Sequence, residues 1–96
     1  MMTKLIVIGA STPTILRVID DINETKKNQF EILGFVDSDT KKIGNDFFGY
    51  KILGDFEKVK EYNKNDVYLI NTIASSTSNR KEVTNYFINL GYKFTN

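Results

Sequence analysis

The sequence predicts an α/β fold, a doubly wound parallel sheet with helices on both faces, and three observations carry that expectation. Short apolar runs suited to strands alternate along the chain with stretches whose apolar residues recur at helical spacing. The first run, Leu5 to Ile8, passes through Gly9 straight into a helix start. Polar segments rich in carboxylate, amide and hydroxyl groups follow the strands, and the carboxyl edge of an open sheet gathers such segments into one cleft.

Leu5 to Ile8 is apolar throughout, as a parallel strand covered on both faces requires. Thr12 can cap the helix that follows, and Pro13 suits its first position, where no backbone N–H is missed. Ile15, Val18, Ile19 and Ile22 then predict a helix from about Pro13 to Ile22 with that face on the sheet. Asn23 to Gln29 is polar and reads as a helix end and surface loop, and Phe30 to Val36 as a second strand tipped by Asp37-Ser-Asp39. Lys41 to Asp46 is an expected loop, and Phe47 to Leu53 an expected short irregular strand ended by Gly54. Asp55 should cap a short helix that carries Phe56, Val59 and Tyr62 inward, with Asn63 to Asn65 closing it. Val67 to Ile70 is a further strand with Asn71 at its carboxyl end. After a hydroxyl-rich loop from Thr72 to Ser78, Asn79 and Glu82 resemble a capping box. Val83, Tyr86, Phe87 and Leu90 give the last helix its apolar stripe, Gly91 suits the position just past its end, and Tyr92 to Phe94 reads as a terminal strand.

Together these elements describe one small Rossmann-like domain over residues 1–96, in three layers, α/β/α. Its 96 residues, 41% hydrophobic, suffice for one modest core. Thirteen basic and twelve acidic residues leave a net charge of +1, and the lysine pairs at 26–27, 41–42 and 58/60 are interrupted by acids. They read as solvated surface, so no nucleic-acid partner is expected. No apolar run approaches the ~20 residues of a membrane span, and no signal-peptide pattern opens the chain, so a cytoplasmic location and no membrane association are expected. With neither cysteine nor histidine, thiol catalysis, thiolate zinc sites and Ser-His or Cys-His pairs are excluded. No residue stands out as catalytic, and the Asp37/Asp39 pair lacks the further ligands a metal would need.

Three segments should meet at the carboxyl edge. Gly9, Ala10, Ser11 and Thr12 would offer backbone N–H groups and a helix N-terminus to a phosphate. Asp37, Ser38 and Asp39 would offer carboxylates, Asp37 being the natural partner for a ribose diol with Asp39 as a substitute. Asn71, Thr72, Ile73 and Ser75 belong to the loop that would recognise a base or sugar. Each has a plainer alternative. Gly9 can serve a tight turn alone, Ser11 and Thr12 can be helix caps, Asp37 and Asp39 can be Asx-turn residues, Ser75 to Ser78 can be a simple loop, and Arg80 can be solvated instead of phosphate-bound.

On these residues the chain resembles the N-terminal domain of bacterial acetyltransferases that modify UDP-amino sugars and sialic acids. The resemblance runs through Leu5-Ile-Val-Ile-Gly-Ala-Ser11, Phe30-Glu-Ile-Leu-Gly-Phe-Val-Asp37, Gly49-Tyr-Lys-Ile-Leu-Gly-Asp55, Leu69-Ile-Asn-Thr-Ile73 onward to Arg80, and Leu90-Gly-Tyr-Lys-Phe94. Gly49 to Asp55 is its most specific part, since a generic dinucleotide fold has no reason to carry it there. The resemblance implies a domain that holds a UDP-linked sugar for glycan biosynthesis, with Gly9, Ala10 and Ser11 facing the sugar or diphosphate, Asp37 near the uridine or ribose, and Asn71 to Ser75 closing the cleft. It further implies that acetyl-CoA, the catalytic histidine and the trimer contacts belong to a left-handed β-helix of hexapeptide repeats that these residues do not include. This domain would bind no cofactor and would not acetylate alone. Thr12-Pro-Thr14 stands where the family usually has Gly-His-Gly, and Thr72 and Ala74 where a glycine is usual. The added side chains restrict the approach of a phosphate, while their hydroxyls offer new donors.

Two other functions remain open on the residues. An NAD(P)-binding oxidoreductase fragment shares the fold, but an intact G-x-G-x-x-G and a Tyr-x-x-x-Lys pair are missing. A stand-alone regulatory or interaction domain that has lost its ligand is favoured by the altered glycine turn.

Overall fold

The computed structural model describes residues 3–10, 14–25, 30–72 and 77–94. Six strands form one mixed, mostly parallel sheet: β1 (Thr3–Ile8), β2 (Phe30–Val36), β3 (Asp46–Phe47), β4 (Tyr50–Gly54), β5 (Val67–Asn71) and β6 (Lys93–Phe94). Their order is β3-β4-β2-β1-β5-β6, and every neighbouring pair is parallel except β3 with β4. The chain leaves β1 toward one side through β2 and β4, then returns to the other side through β5. The order therefore reverses at β1, as a doubly wound sheet requires.

Two helices, α1 (Thr14–Thr25) and α2 (Thr77–Asn89), and two 3-10 helices, Thr40–Lys42 and Phe56–Glu61, complete the described elements. Side chains alternate across the strands, so the sheet feeds two separate cores. On one face Ile6, Ile8, Val36, Val67 and Leu69 pack with Val59 of the second 3-10 helix and Phe87 of α2. On the other Val7, Ala10, Phe35 and Ile52 pack with Ile15 and Leu16 of α1. Leu5 to Ile8 are fully buried, in keeping with their unbroken apolar run. No helix among the described residues is long and apolar enough to cross a membrane.

Several local expectations change. On α1, Leu16 takes the inward place expected of Val18, which is 45% exposed, because successive helix residues turn by about 100° and the buried arc centres between Ile15 and Leu16, on Ile19. The helix continues to Thr25, where Asn23 closes the connection: its side-chain oxygen accepts from the Phe30 N–H at 2.8 Å and its amide donates to the Phe30 carbonyl at 3.1 Å. The expected strand from Phe47 to Leu53 is a hairpin, with β3 antiparallel to β4. Its central residues Phe48 and Gly49 have φ of 50° and 89°, the left-handed pair that matches a two-residue hairpin to the twist of its strands. The loop expected from Lys41 opens on the end of the first 3-10 helix, which begins at Thr40 and is capped by Asp39, whose side chain accepts from the Lys41 N–H. The second is capped by Asp55 as expected.

The last helix begins at Thr77, so Asn79 lies inside it and is not its cap. Of its expected stripe, Phe87 is buried, whereas Tyr86 and Leu90 are 40% and 39% exposed at the border of the packed face. Its end is well defined: the Gly91 N–H bonds to the Ile88 carbonyl and the Tyr92 N–H to the Phe87 carbonyl, with Gly91 at φ 99°. This is the Schellman arrangement, completed by edge-on contact of the Phe87 and Tyr92 rings at 6.0 Å.

Candidate functional site

The carboxyl ends of β1, β2 and β5 lie side by side, so the segments that begin at Gly9, Asp37 and Asn71 are neighbours at one edge. Ser11, Thr12, Ile73 and Ser75, which sequence reasoning also placed there, lie outside the described residues, as does Pro13.

Hydrogen bonds join these segments. The Gly9 N–H donates to the Val36 carbonyl at 2.8 Å, and the Thr72 N–H donates to the Ile8 carbonyl at 2.9 Å. The Thr72 hydroxyl lies 2.9 Å from both the Ile8 and the Gly9 carbonyls. Gly9 itself has φ 98°, in the left-handed region that favours glycine, which lets the chain turn out of the sheet directly after β1.

Asp37 is 9% exposed, and both of its carboxylate oxygens have partners within the protein. One oxygen accepts from the Ala10 N–H at 2.8 Å and the other from the Asp39 N–H at 2.9 Å, with the Lys42 ammonium 3.6 Å from the first. Burial opposes ionisation here, but the N–H groups of Asp39 and Ala10 and the charge of Lys42 together outweigh it and hold the carboxyl below its usual range. The bond to Asp39 is an Asx turn, and the bond to Ala10 reaches across to the first segment.

Lys42 was expected to be solvated surface, yet its ammonium also donates to the Ala10 carbonyl at 3.1 Å. Sequence reasoning had no periodic signal for this. The usable hint was position, five residues beyond Asp37 in a segment short enough to fold back. Asp39 serves as the cap of the 3-10 helix that carries Lys42. Asn71 faces α2, donating to the Arg80 carbonyl at 3.1 Å and the Thr84 hydroxyl at 3.0 Å. It thereby fixes the carboxyl end of β5 against that helix.

Ser38 borders a cavity of about 230 Å³ shared with Thr40, Asp55, Phe56 and Glu57. Phe56 and Glu57 also line an adjoining cavity of about 360 Å³ with Glu82, Val83 and Tyr86. Phe56 and Glu57, which the two share, belong to the second 3-10 helix. The Tyr86 hydroxyl contacts the Glu57 carboxylate at 3.2 Å, and Lys60 pairs with Glu57 at 2.6 Å. These contacts, the Lys60 bond foremost, hold the Glu57 carboxyl below its ordinary value. Among the described residues no cluster of three or more His, Cys, Asp or Glu side chains could hold a metal ion.

Comparison with curated proteins yields no match, nor does comparison with solved structures. A family model does match: that of the PglD N-terminal domain, over residues 4–91. The match begins in β1, ends at the glycine that terminates α2, and takes in all three edge segments. The chain therefore belongs to the family of N-terminal domains of PglD-type sugar acetyltransferases.

Proposed function

We propose that the domain binds a nucleotide sugar, a UDP-linked amino sugar, at the carboxyl edge of its sheet and presents it for acetylation. The observation that carries this reading is the family match across residues 4–91. The reversal of strand order at β1 supports it, because open α/β sheets take their ligands where neighbouring connections diverge. In this reading the ligand meets the segments Gly9 to Thr12, Asp37 to Asp39 and Asn71 to Ser75, in the cytoplasm and without a bound cofactor. Acetyl transfer from acetyl-CoA, and trimer formation, belong to a hexapeptide β-helix outside these residues. The contribution of this domain is to bind and orient the acceptor.

A second reading, a domain that keeps the fold without the ligand, is favoured by one feature. The N–H groups of Gly9 and Ala10 already have acceptors within the protein, so neither is free to meet a phosphate. Calorimetry with UDP, UDP-N-acetylglucosamine and NAD⁺ separates the possibilities. Binding of the UDP ligands with no heat from NAD⁺ is expected. Silence from every ligand at millimolar concentration would refute the nucleotide-sugar reading, and selective binding of NAD⁺ would replace it with the oxidoreductase one.

A further inference from the structure

Ala10 is 2% exposed, and both of its backbone polar groups are held by side chains from the segment after β2. Asp37 takes its N–H, and Lys42 donates to its carbonyl. The bonds form a closed circuit. The Asp37 carboxylate also takes the Asp39 N–H, Asp39 caps the 3-10 helix Thr40–Lys42, and Lys42 returns from that helix to Ala10 and to Asp37 itself.

We propose that Asp37 and Lys42 are a positioning pair for the ligand edge, holding Ala10 from both sides and so fixing where the chain leaves β1, without touching the ligand themselves. The proposal rests on the reading of this edge as a nucleotide-sugar site. It reassigns Asp37, which a dinucleotide fold would place on a ribose.

The geometry favours positioning over contact. A carboxylate has about four acceptor positions. Each Asp37 oxygen already accepts one N–H group, and one of them also faces an ammonium, in a residue almost closed to solvent. Lys42 is only partly open, with 37% of its side chain exposed, and gives a proton to a buried residue's carbonyl. The two charges offset one another, so the pair offers an incoming diphosphate little net attraction. What it offers is a fixed turn, and a binding turn displaced by a fraction of an ångström loses affinity without losing any direct contact.

The test uses the whole chain and two variants, Lys42→Met and Lys42→Arg, with urea midpoints to verify folding. Amide spectra of the free protein are followed through the acid titration of Asp37, whose charged neighbours in the circuit are Lys42 and Asp39. The Ala10 and Asp39 amides should move together with one midpoint below the ordinary Asp value, and Lys42→Met should raise that midpoint and shift the Ala10 amide. With UDP-N-acetylglucosamine as the probe, Lys42→Met should weaken binding about five- to tenfold, the scale of one ordinary hydrogen bond, and Lys42→Arg should recover most of it. An Ala10 amide indifferent to the titration would overturn the circuit. Unchanged affinity in Lys42→Met would overturn positioning. A loss of affinity with the free-state Ala10 amide unmoved would make Lys42 a ligand contact and overturn it too. If the wild-type chain ignores the probe, the nucleotide-sugar reading and the role in ligand placement fail together, while the circuit still stands or falls on the titration.

Discussion

Thr72→Val removes a hydroxyl at the joint between two edge segments while keeping nearly the same side-chain shape. The Thr72 hydroxyl has one proton and lies 2.9 Å from each of two carbonyls, Ile8 and Gly9. The Ile8 carbonyl keeps the Thr72 N–H at 2.9 Å in the variant, so it stays satisfied. The Gly9 carbonyl loses this donor, and the expected cost is that of one ordinary hydrogen bond, about 1 kcal/mol. For a domain of this size that corresponds to a fall in Tm of about 4 to 8 °C. Thr72→Ser, which keeps the hydroxyl and sheds a methyl group, is the control. Urea unfolding of the three proteins, fitted with a common slope, gives the comparison. Equal stability of Thr72→Val and the wild type would refute the reasoning, and so would a Ser variant as unstable as the Val one, since either result removes the hydroxyl from the account.

Other substitutions reach different layers of the structure. Gly34→Ala places a Cβ 2.7 Å from the Lys51 carbonyl oxygen and 2.7 Å from the Leu53 side chain, so β2 and β4 must part. A loss of about 1 to 3 kcal/mol is expected in denaturant titration, and a neutral result would show that the two strands are not that close. Tyr92→Phe keeps the ring but removes the hydroxyl that reaches the Tyr62 carbonyl at 2.7 Å and the Val59 carbonyl at 3.0 Å. It should cost about 1 to 2 kcal/mol by calorimetric melting, with the near-ultraviolet signature of the core intact. The Asp37 carboxyl is held low in the folded state, so its contribution to stability is complete above the unfolded Asp value and is lost as pH falls through the folded one. Asp37→Asn should therefore flatten the acid limb of the stability curve, and an unchanged limb would remove Asp37 as its source.

The order of elements was legible because each β1 or β2 apolar run and each helical stripe is local in sequence. The capping role of Asp55 and the termination at Gly91 were legible for the same reason. The hairpin within residues 46–54 was not, because Phe48-Gly49 is an uncommon turn pair whose first member is a bulky residue at positive φ. The inward face of α1 lies one step from the expected one because Leu16 and Val18 are both apolar, and only the sheet decides between them. At the candidate site, Asp37 follows β2 where the sequence places it, but its partners are 27 residues upstream and five downstream. Only the completed fold brings Ala10, Asp37 and Lys42 together. Asn71 is the opposite case, a residue expected at the cleft whose amide donors reach α2 instead.

The outer strand β3 is two residues long and antiparallel to β4. A sheet grows sideways only where a strand leaves a run of free N–H and C=O groups for a newcomer, and two-residue borders offer almost none. On that side the longer strands lie behind a short one, and lateral strand addition has little purchase there. Contacts with neighbouring protein on that side, where they occur, would then be made by helices or loops.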